Sequence, residues 1–399
     1  MTEPDKRTVV ALGGAGAMGA PAVEVLAARG DIAELVIADR DLDAAERLAA
    51  RLAGGSTPLT PYAADATDPV RLRALFRDAD LVINTTGPFF RLGVPVLRAA
   101  IDTRTDYADI CDDWEPTLEM LALDAEARRA GVTAVIGAGA SPGTSNMLAA
   151  LAARELDTVD DLHTAWPVDV PFVGDDRAQD SAVGLSAATV HWMQQLSGTI
   201  RTWSSGGPAE RPPLEAITLD YPGRGKGTAY TVGHPEPVTL PRTRSVTRDS
   251  TCVMVVRPLT AAYLMTLRDD IDRGRLTLEE AAAALDDPAA RRLARSVANR
   301  LSLRGPGALP AFFALAAGSR DGRPHTIGAR LVASPRGMAR ATGIPLALAA
   351  GQILDGSVRV PGVHAPDAVL DPERYFDELA AHTDPPRGGR GEVVAVDRA

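Results

Sequence analysis

Three glycines near the start of the chain have the spacing of a dinucleotide-binding loop. Gly14, Gly16 and Gly19 follow the pattern G-x-G-x-x-G directly after an apolar run, residues 9–12. In such a loop the first glycine allows a tight turn, the second lets the backbone approach a pyrophosphate, and the third lets the next helix pack closely on the strand. A helix starting near Met18 directs its free N–H groups towards the phosphates. We therefore predict that this loop binds NAD or NADP.

An acid stands where the adenosine ribose of such a cofactor would lie. Asp39 ends the second apolar run, residues 35–38, about twenty residues after the glycines, and a carboxylate there accepts hydrogen bonds from ribose hydroxyls. Its charge repels a 2′-phosphate and favours NAD, whereas the adjacent Arg40 could pair with that phosphate and favours NADP. Because successive side chains of a strand point to opposite sides, we expect Asp39 to face the ribose and NAD to be slightly preferred.

Small and polar residues also follow the later predicted strands of this region. The carboxyl ends of parallel strands share one edge of a sheet, so these residues are expected to line one crevice. The predicted cofactor contacts are Gly14, Ala15, Gly16, Ala17, Met18, Asp39, Arg40, Asp65, Thr85, Thr86 and Gly87. For Asp65 and the nearby Asp68, an adenine-side contact and capping of the next helix are equally well supported.

Four carboxylates occur within eight residues, 106–113, where a short predicted strand runs into acids. An acid-rich pocket suits an iminium or ammonium centre, because an opposite charge within a few ångströms stabilises the cation. Helix capping is the alternative role for Asp112 and Asp113. Further along, a glycine-rich turn, residues 137–146, precedes a predicted helix whose N-terminus can hold a substrate carboxylate.

These patterns give a set of candidate catalytic and substrate-binding residues. The predicted proton-transfer groups are Asp109, Asp112 and His234. The predicted substrate contacts are Pro88, Phe89, Arg91, Cys111, Asp113, Ser141, Pro142, Gly143, Asn146 and Arg224. Structural roles remain open for three of them: Phe89 could pack in the core, His234 could only shape a proline-rich turn, and Arg224 could only solvate a hairpin.

The composition excludes several classes of protein. With 52 acids against 42 bases the net charge is −10, and Lys and Arg form no patch, so we expect binding neither to nucleic acid nor to a membrane surface. We see no apolar signal segment and no stretch as long as a membrane helix, so we expect a cytoplasmic protein. Two cysteines and six scattered histidines lack metal-ligand spacing, so no metal site and no disulfide are expected.

The order of predicted elements indicates two domains, as 399 residues with 45% apolar content also suggest. Strands alternate with helices up to residue 153, which predicts a Rossmann-type, doubly wound parallel sheet. From residue 161 the alternation becomes sheet-like and predicts an inserted α+β domain on a mixed, mainly antiparallel sheet. We expect residues 1–147, completed by 340–399, to form the first domain, and 148–339 to form a substrate and dimerisation domain.

Together these residues resemble the saccharopine dehydrogenase-like family of NAD(P)-dependent oxidoreductases. The resemblance rests on Gly13-Gly14-Ala15-Gly16-Ala17-Met18-Gly19, Thr86-Gly87-Pro88-Phe89, the acids after Tyr107, Ser141-Pro142-Gly143 with Asn146, and Gly233-His234-Pro235-Glu236-Pro237. It implies reduction of an imine formed from an amine and a carbonyl compound, or oxidation of the corresponding amino acid. Other members are enoyl reductases. The loop sequences differ from those of the lysine-pathway members, so saccharopine itself is not implied.

The expected partners are a small-molecule amino acid, or an amine with an oxoacid, and a second copy of the chain in a homodimer. A nucleotide-binding regulatory protein without turnover is the rival class, because a Rossmann domain alone does not specify catalysis.

Overall fold

The computed structural model describes residues 7–170, 187–287, 289–300 and 303–399. The chain forms two compact units. The first unit is Met1–Thr144 with Ser334–Gly389, and the second unit is Ser145–Ala333 with Arg390–Ala399.

In the part of the chain that the structure describes, helices separate successive strands up to residue 153, as the sequence predicts. The strands are β1 Arg7–Leu12, β2 Ile32–Asp39, β3 Leu59–Ala63, β4 Leu81–Asn84, β5 Asp106–Asp109, β6 Thr133–Val135, β7 Thr158–Pro167, β8 Ile200–Ser204, β9 Gly207–Arg211, β10 Ala216–Tyr221, β11 Gly225–Thr231, β12 Ser250–Val255, β13 Phe313–Arg320, β14 Arg323–Leu331, β15 Gly362–His364 and β16 Val394–Arg398. The helices are α1 Gly19–Ala27, α2 Leu42–Arg51, α3 Pro69–Phe76, α4 Phe89–Thr103, α5 Trp114–Leu121, α6 Asp124–Ala130, α7 Thr144–Ala153, α8 Ala187–Gln195, α9 Glu236–Arg244, α10 Pro258–Asp272, α11 Leu278–Asp286, α12 Ala290–Arg300, α13 Gly337–Leu354, α14 Pro366–Val369 and α15 Pro372–Ala380.

The first unit contains the predicted parallel sheet. Its seven strands have the order β15-β6-β5-β4-β1-β2-β3, and every neighbouring pair is parallel. Strand β1 lies between β2 and β4, so the direction of winding reverses there and leaves a crevice beyond the carboxyl ends of these strands. Residues 9–12 of β1 are buried, as expected for a strand covered on both faces. The Rossmann-type fold class is therefore confirmed.

Helix α13 covers the first helix of this unit. Its Gly343 lies so close to the Met18 carbonyl that a side chain at this position would collide with the start of α1. The next nearest atoms to the position of that missing Cβ are the Cβ of Pro21, at 3.1 Å, and the backbone nitrogen of Ala22, at 3.2 Å, both in α1. The late segment of the chain thus returns to the first unit and holds the helix that follows the glycine loop.

The second unit contains a mixed sheet. Its main order is β10-β11-β12-β7-β13-β14-β16, and β8 pairs with both β12 and β9. Strands β7 and β12 are parallel, whereas the other pairs are antiparallel. The turn residues Asp321-Gly322 between two apolar runs predict a hairpin, and in the structure they form the two-residue turn that joins β13 and β14. The mixed, mainly antiparallel sheet is confirmed.

The structure differs from the predicted domain boundaries at the C-terminus. Residues 340–399 were expected in the first domain, but Arg390–Ala399 belongs to the second unit. The reason is β16, which pairs with β14 as an antiparallel edge strand. Strand β16 has only five residues of mixed polarity, so it carries little periodic signal. Its partner β14 is more than sixty residues away in sequence, so local patterns do not indicate the pairing.

Several helices begin or end elsewhere than predicted. The sequence pattern predicts a helix over residues 94–101, but α4 starts at Phe89. It predicts another from Met147, but α7 starts at Thr144, and where it predicts one helix over 117–130 the structure has two, α5 and α6. A further helix is predicted over residues 182–196; α8 is described from Ala187, and residues 182–186 lie outside the described residues. Among the described residues, no helix combines the length and the apolar character needed to cross a membrane.

Candidate functional site

The glycine loop connects β1 to α1 through a backbone turn. The Gly16 N–H donates to the Gly13 carbonyl at 3.0 Å, and the Gly13 N–H donates to the Ala38 carbonyl at 2.7 Å. The second bond ties the loop to the end of β2. Gly13 itself has a φ of +73°, a conformation that side chains rarely adopt.

The three spaced glycines differ in the atoms that surround them. A Cβ on Gly14 would lie 2.7 Å from the Ala11 carbonyl oxygen, and one on Gly19 would overlap the Gly13 carbonyl. These two positions are therefore restricted by packing within the loop. A Cβ on the exposed Gly16 would meet only the Gly13 oxygen, at 3.2 Å, and would project outwards. Gly16 is thus the one of the three glycines that is exposed rather than enclosed by the packing of the loop.

The start of α1 suits an anion. Its N-cap residue Met18 makes no side-chain capping bond, and Ala17 before it is exposed. The first N–H groups of a helix carry partial positive charge and have no partner within the helix. The exposed glycine and the uncapped helix start therefore fit a pyrophosphate group.

The carboxylate of Asp39 faces this loop. Its Oδ2 accepts a hydrogen bond from the Ala15 N–H at 3.1 Å, and its Oδ1 accepts one from the Asp41 N–H at 3.1 Å. Arg40 is exposed. The two side chains thus differ in environment, as the strand geometry predicts, and Asp39 is the one directed towards the glycine loop.

The two acids after β3 have local hydrogen bonds. Asp68 caps α3 by accepting from the Val70 and Arg71 N–H groups, which supports the capping alternative for this residue. The exposed Asp65 accepts from the Thr67 hydroxyl and N–H, and these bonds lower its pKa, with smaller contributions from the positive charges of Arg71 and Arg40. Arg40 is therefore close enough to influence the loop after β3.

The residues after β4 contact the glycine loop. The Thr85 hydroxyl donates to the Gly13 carbonyl at 2.9 Å, so the ends of β1 and β4 are joined by a side chain. The Thr86 N–H and hydroxyl both donate to Asn84 Oδ1, at 3.0 and 2.6 Å. Gly87 is exposed. The predicted contacts Thr85, Thr86 and Gly87 therefore lie at the edge of the sheet that carries the loop.

The start of α4 orients two phenylalanines differently. Phe89 is buried and packs in the core of the first unit, whereas Phe90 is 45% exposed. The Arg91 guanidinium lies 5.5 Å from the centre of the Phe90 ring. The Phe89 ring therefore has the core role that the sequence left open, and Phe90 with Arg91 forms the accessible surface beyond the half-buried Pro88.

Asp109 is the centre of a buried hydrogen-bond network at the end of β5. Its Oδ2 accepts from the Tyr107 hydroxyl at 2.9 Å, and that hydroxyl accepts from Asn84 Nδ2 at 2.9 Å. Its Oδ1 accepts from the N–H groups of Cys111 and Gly137, at 3.0 and 2.7 Å. Burial raises the pKa of Asp109 to about 6, because these donors only partly offset its desolvation. The contacts favour an anchoring role, since they join the ends of β4, β5 and β6.

The next residues differ in their access to solvent. Cys111 is buried, and burial raises the pKa of its thiol. Asp113 is buried at the N-cap position of α5 but makes no side-chain capping bond. Asp112 is only partly buried. Of the three acids at positions 109, 112 and 113, Asp112 is thus the one whose position gives access to a ligand.

The second glycine-rich turn is tightly packed. A Cβ on Gly137 would lie 2.7 Å from Pro142, and Gly143, with a φ of +119°, forms a backbone bridge with Gly139. Ser141 between them is half-buried. At the end of the turn, the hydroxyls of Thr144 and Tyr375 are 2.5 Å apart in the core of the first unit.

Two of the predicted substrate contacts, Asn146 and Arg224, belong to the second unit. Asn146 lies inside α7 rather than in the turn, and its Nδ2 is 3.5 Å from Thr239 Oγ1. Arg224 is exposed in the turn between β10 and β11, where its N–H donates to the Tyr221 carbonyl at 3.0 Å. These contacts support the hairpin role that the sequence left open for Arg224.

His234 lies in a buried polar cluster of the second unit. Its ring stacks on Trp166, with 5.3 Å between ring centres, and its Nδ1 is 3.7 Å from Glu236 Oε2. The Ser145 hydroxyl donates to Glu236 Oε1 at 2.7 Å. Glu236 and Ser145 are not among the candidates that the sequence suggests. The spacing His-x-Glu just before a predicted helix could have indicated Glu236, because it places the side chains of His234 and Glu236 together at the start of α9.

Comparisons with known proteins agree with this fold. Residues 9–135 match the saccharopine dehydrogenase NADP binding domain family, and residues 311–384 match the saccharopine dehydrogenase C-terminal domain family. The apo saccharopine dehydrogenase (L-Glu forming) of Saccharomyces cerevisiae has a similar structure, with a TM-score of 0.59 and 18% identity over 98% of this chain and 100% of that chain. At this identity the likeness concerns the fold.

Curated relatives are similar to a limited part of the chain. A trans-acting enoyl reductase of Mycobacterium leprae (strain TN) is 34% identical over 109 residues, which are 27% of this chain and 26% of the relative. A trans-acting enoyl reductase of Mycobacterium tuberculosis (strain ATCC 25618 / H37Rv) is 31% identical over 102 residues, which are 26% of this chain and 24% of the relative. The chain thus matches about a quarter of the length of these relatives.

Proposed function

Since the chain belongs to the saccharopine dehydrogenase-like family of NAD(P)-dependent oxidoreductases, we propose that it reduces an imine formed from an amine and a carbonyl compound, or oxidises the corresponding amino acid. The family of the N-terminal match and that of the C-terminal match are both named for a saccharopine dehydrogenase, which supports chemistry at a C–N bond. A homodimer that acts on a small-molecule substrate is part of the same proposal.

The observation that carries the proposal is the arrangement at the carboxyl edge of the parallel sheet. The glycine loop follows β1, and the half-buried Asp112 follows β5, two strands away across β4. Neighbouring strands are about 4.8 Å apart, so the two strand ends are roughly 10 Å apart. This separation suits a dinucleotide whose pyrophosphate lies on the loop and whose nicotinamide extends along the edge.

When bound, the cofactor supplies or accepts a hydride at the nicotinamide ring. The residues of this chain bind and orient it: the N–H groups at the start of α1 hold the pyrophosphate, and Asp39 accepts bonds from the ribose hydroxyls. We further propose that NAD is preferred over NADP, because the Asp39 carboxylate contacts the glycine loop through the Ala15 N–H, whereas Arg40 is exposed.

Asp112 is the proposed proton-transfer group. An imine accepts hydride well only as the protonated iminium, and a carboxylate about 4 Å from that cation stabilises it by about 1–4 kcal/mol, with the lower end appropriate to a partly exposed group. The buried Asp109 is assigned to anchoring, because both of its oxygens accept bonds from neighbouring groups. A neutral alkene would gain nothing from this charge.

Reduction of an enoyl group is the second candidate. It is favoured by the similarity of about a quarter of the chain to trans-acting enoyl reductases. Hydride addition to an enoyl thioester develops negative charge on the thioester oxygen, and that charge requires hydrogen-bond donors rather than a carboxylate. The acid at position 112 therefore favours the C–N reaction over this one.

The test is a comparison of substrate classes with the purified chain. Oxidation of NADH and of NADPH is followed by absorbance, first with mixtures of amines and 2-oxoacids and then with unsaturated thioesters. The proposal expects turnover with an amine and oxoacid pair, and none in the Gly16→Val variant. Turnover with thioesters alone would reverse the order of the two candidates. Cofactor binding without turnover in either class would indicate the non-catalytic alternative.

A further inference from the structure

A second group of chemically reactive side chains lies in the second unit. It consists of His234, just before α9, Glu236, the first residue of α9, and Cys252 in β12. The three residues are 5%, 0% and 1% exposed. One potential ligand atom of each lies within 4.8 Å of those of the other two.

We propose that His234, Glu236 and Cys252 bind a divalent zinc-like cation. The 3.7 Å between His234 Nδ1 and Glu236 Oε2 is too long for a hydrogen bond. It is close to the spacing of two ligands of one ion: zinc–nitrogen and zinc–oxygen bonds of about 2.1 Å at a tetrahedral angle separate the two atoms by about 3.4 Å. The cation requires only a small further convergence of the side chains.

Neighbouring groups already orient two of these ligands. The Ser145 hydroxyl donates to the other oxygen of Glu236 at 2.7 Å, which leaves Oε2 directed at the histidine. Trp166 stacks on the imidazole with an angle of 20° between the rings, and so fixes the plane of the histidine. Such supporting contacts around the ligands are typical of metal sites, where they hold each donor atom in position.

The strand that carries the third ligand is fixed as well. Cys252 lies opposite Thr164 in the parallel pair of β12 and β7, near the middle of the sheet. Its backbone position is therefore set by the sheet rather than by a loop. The three ligands thus come from two neighbouring elements of one compact unit.

The donor types and charges select the ion. A thiolate, a carboxylate and an imidazole together suit Zn²⁺, which accepts sulfur, oxygen and nitrogen ligands, and three protein ligands leave one of its four positions open. The charge of a dication balances the thiolate and the carboxylate, which makes the buried group neutral and reduces the cost of burying these charges. In this site His234 is a ligand, which replaces the proton-transfer role that its sequence position predicts.

The sequence predicts no metal site because the ligands do not form a recognisable motif. His234 and Glu236 are two residues apart, but Cys252 follows sixteen residues later in another element. The site depends on the pairing of β12 with the sheet and is independent of the proposed oxidoreductase activity.

Binding of cobalt to the complete protein tests this proposal. Co²⁺ replaces Zn²⁺ in such sites, and a sulfur ligand gives a thiolate-to-cobalt charge-transfer absorption in the near ultraviolet. The protein is freed of metal by dialysis against a chelator and titrated with Co²⁺ and then with Zn²⁺. We expect one Co²⁺ per chain with this absorption, and its loss when Zn²⁺ is added.

Variants identify the ligands. Cys252→Ser should abolish the charge-transfer absorption, whereas Cys111→Ser, which alters the other buried cysteine, should retain it. Ser145→Ala keeps all three ligands and should weaken cation binding by about 10–100-fold, the usual effect of removing a group that supports a ligand. Circular dichroism verifies that each variant is folded.

Two results would overturn the proposal. One is the absence of the charge-transfer absorption from the folded wild-type protein at saturating Co²⁺. The other is its loss in Cys111→Ser with retention in Cys252→Ser, which would place any bound ion elsewhere in the chain. The wild-type measurement decides the matter even if a variant fails to fold.

Discussion

Replacement of Asp39 by Ser should change the cofactor preference from NAD towards NADP. The Asp39 carboxylate accepts a hydrogen bond from the Ala15 N–H at 3.1 Å, and this contact places its negative charge at the glycine loop, where the ribose is expected. Serine removes the charge but keeps a small group that can form hydrogen bonds. The 2′-phosphate of NADP then meets no repulsion, whereas NAD loses an acceptor for its ribose hydroxyls.

The size of the change follows from the charges involved. Two unit charges 4 Å apart interact by about 1 kcal/mol in water and by about 4 kcal/mol near a protein surface, and the partial exposure of Asp39 favours the lower part of this range. A relief of about 1.4 kcal/mol strengthens NADP binding about tenfold. Loss of one hydrogen bond to a charged group, about 1.5 kcal/mol, weakens NAD binding by a similar factor. The ratio of the two affinities should therefore change by about 100-fold.

The assay is a calorimetric titration of both cofactors into wild type and variant at one ionic strength, because salt screens the repulsion. The ratio is the decisive quantity, since a loosened glycine loop would weaken both cofactors together. Asp41→Ser is the matched control: it removes an acid two residues away that caps α2, and serine is also a good capping residue. An unchanged ratio in Asp39→Ser, with a wild type that already prefers NADP about tenfold, would refute the reasoning and assign the selection to Arg40.

Three further predictions concern the same unit. Gly16→Val should abolish cofactor binding with little change in melting temperature, whereas Gly14→Val should destabilise the fold. The reason is that the valine at position 14, unlike one at position 16, would meet the buried backbone of β1. Asp112→Asn should lower turnover far more than cofactor affinity, and equal losses in both would contradict its assignment to the substrate. The pKa of Asp109 is raised from 3.8 to about 6 in the folded protein, so its stabilising contribution is complete below about pH 4 and is lost as the pH rises through 6. As the pH rises through this range, the free energy of unfolding of the wild type should fall by about 3 kcal/mol, and that of Asp109→Asn should not show this fall. Denaturant titrations in which wild type and variant have the same pH dependence would contradict the raised pKa of Asp109.

The local patterns of the sequence were sufficient to predict most of the parallel sheet. For example, apolar spacing, a capping acid and Pro69 predict a strand over residues 59–63 and a helix over 69–76, and these ranges coincide with β3 and α3. The glycine loop was predictable for the same reason. A side chain at each of its three spaced glycines would meet backbone atoms of Ala11 or Gly13, which are close in sequence. The β16 strand was not predictable, because its pairing with β14 depends on distant residues.

The candidate site was less accessible to prediction because burial depends on the whole fold. Neighbouring Phe89 and Phe90 look alike in sequence, yet the turn into α4 sends one ring into the core and the other to the surface. Likewise Asp109 at the end of β5 and Asp112 just after it are both acids. They differ because Asp109 accepts a hydrogen bond from the N–H of Gly137, which lies at the end of a different strand. Glu236 was overlooked because its contact with Ser145 joins residues 91 positions apart.

The position of a transferred deuterium is the most direct test of the central claim, that this chain transfers hydride to a C–N bond. The protein is incubated with an amine, a 2-oxoacid and NADH or NADPH deuterated at C4 of the nicotinamide, and the products are examined by mass spectrometry. The account predicts a secondary amine that carries one deuterium on the carbon derived from the carbonyl group, and no such product with Gly16→Val. Deuterium found only in a saturated thioester, in a parallel incubation with an unsaturated thioester, would contradict it.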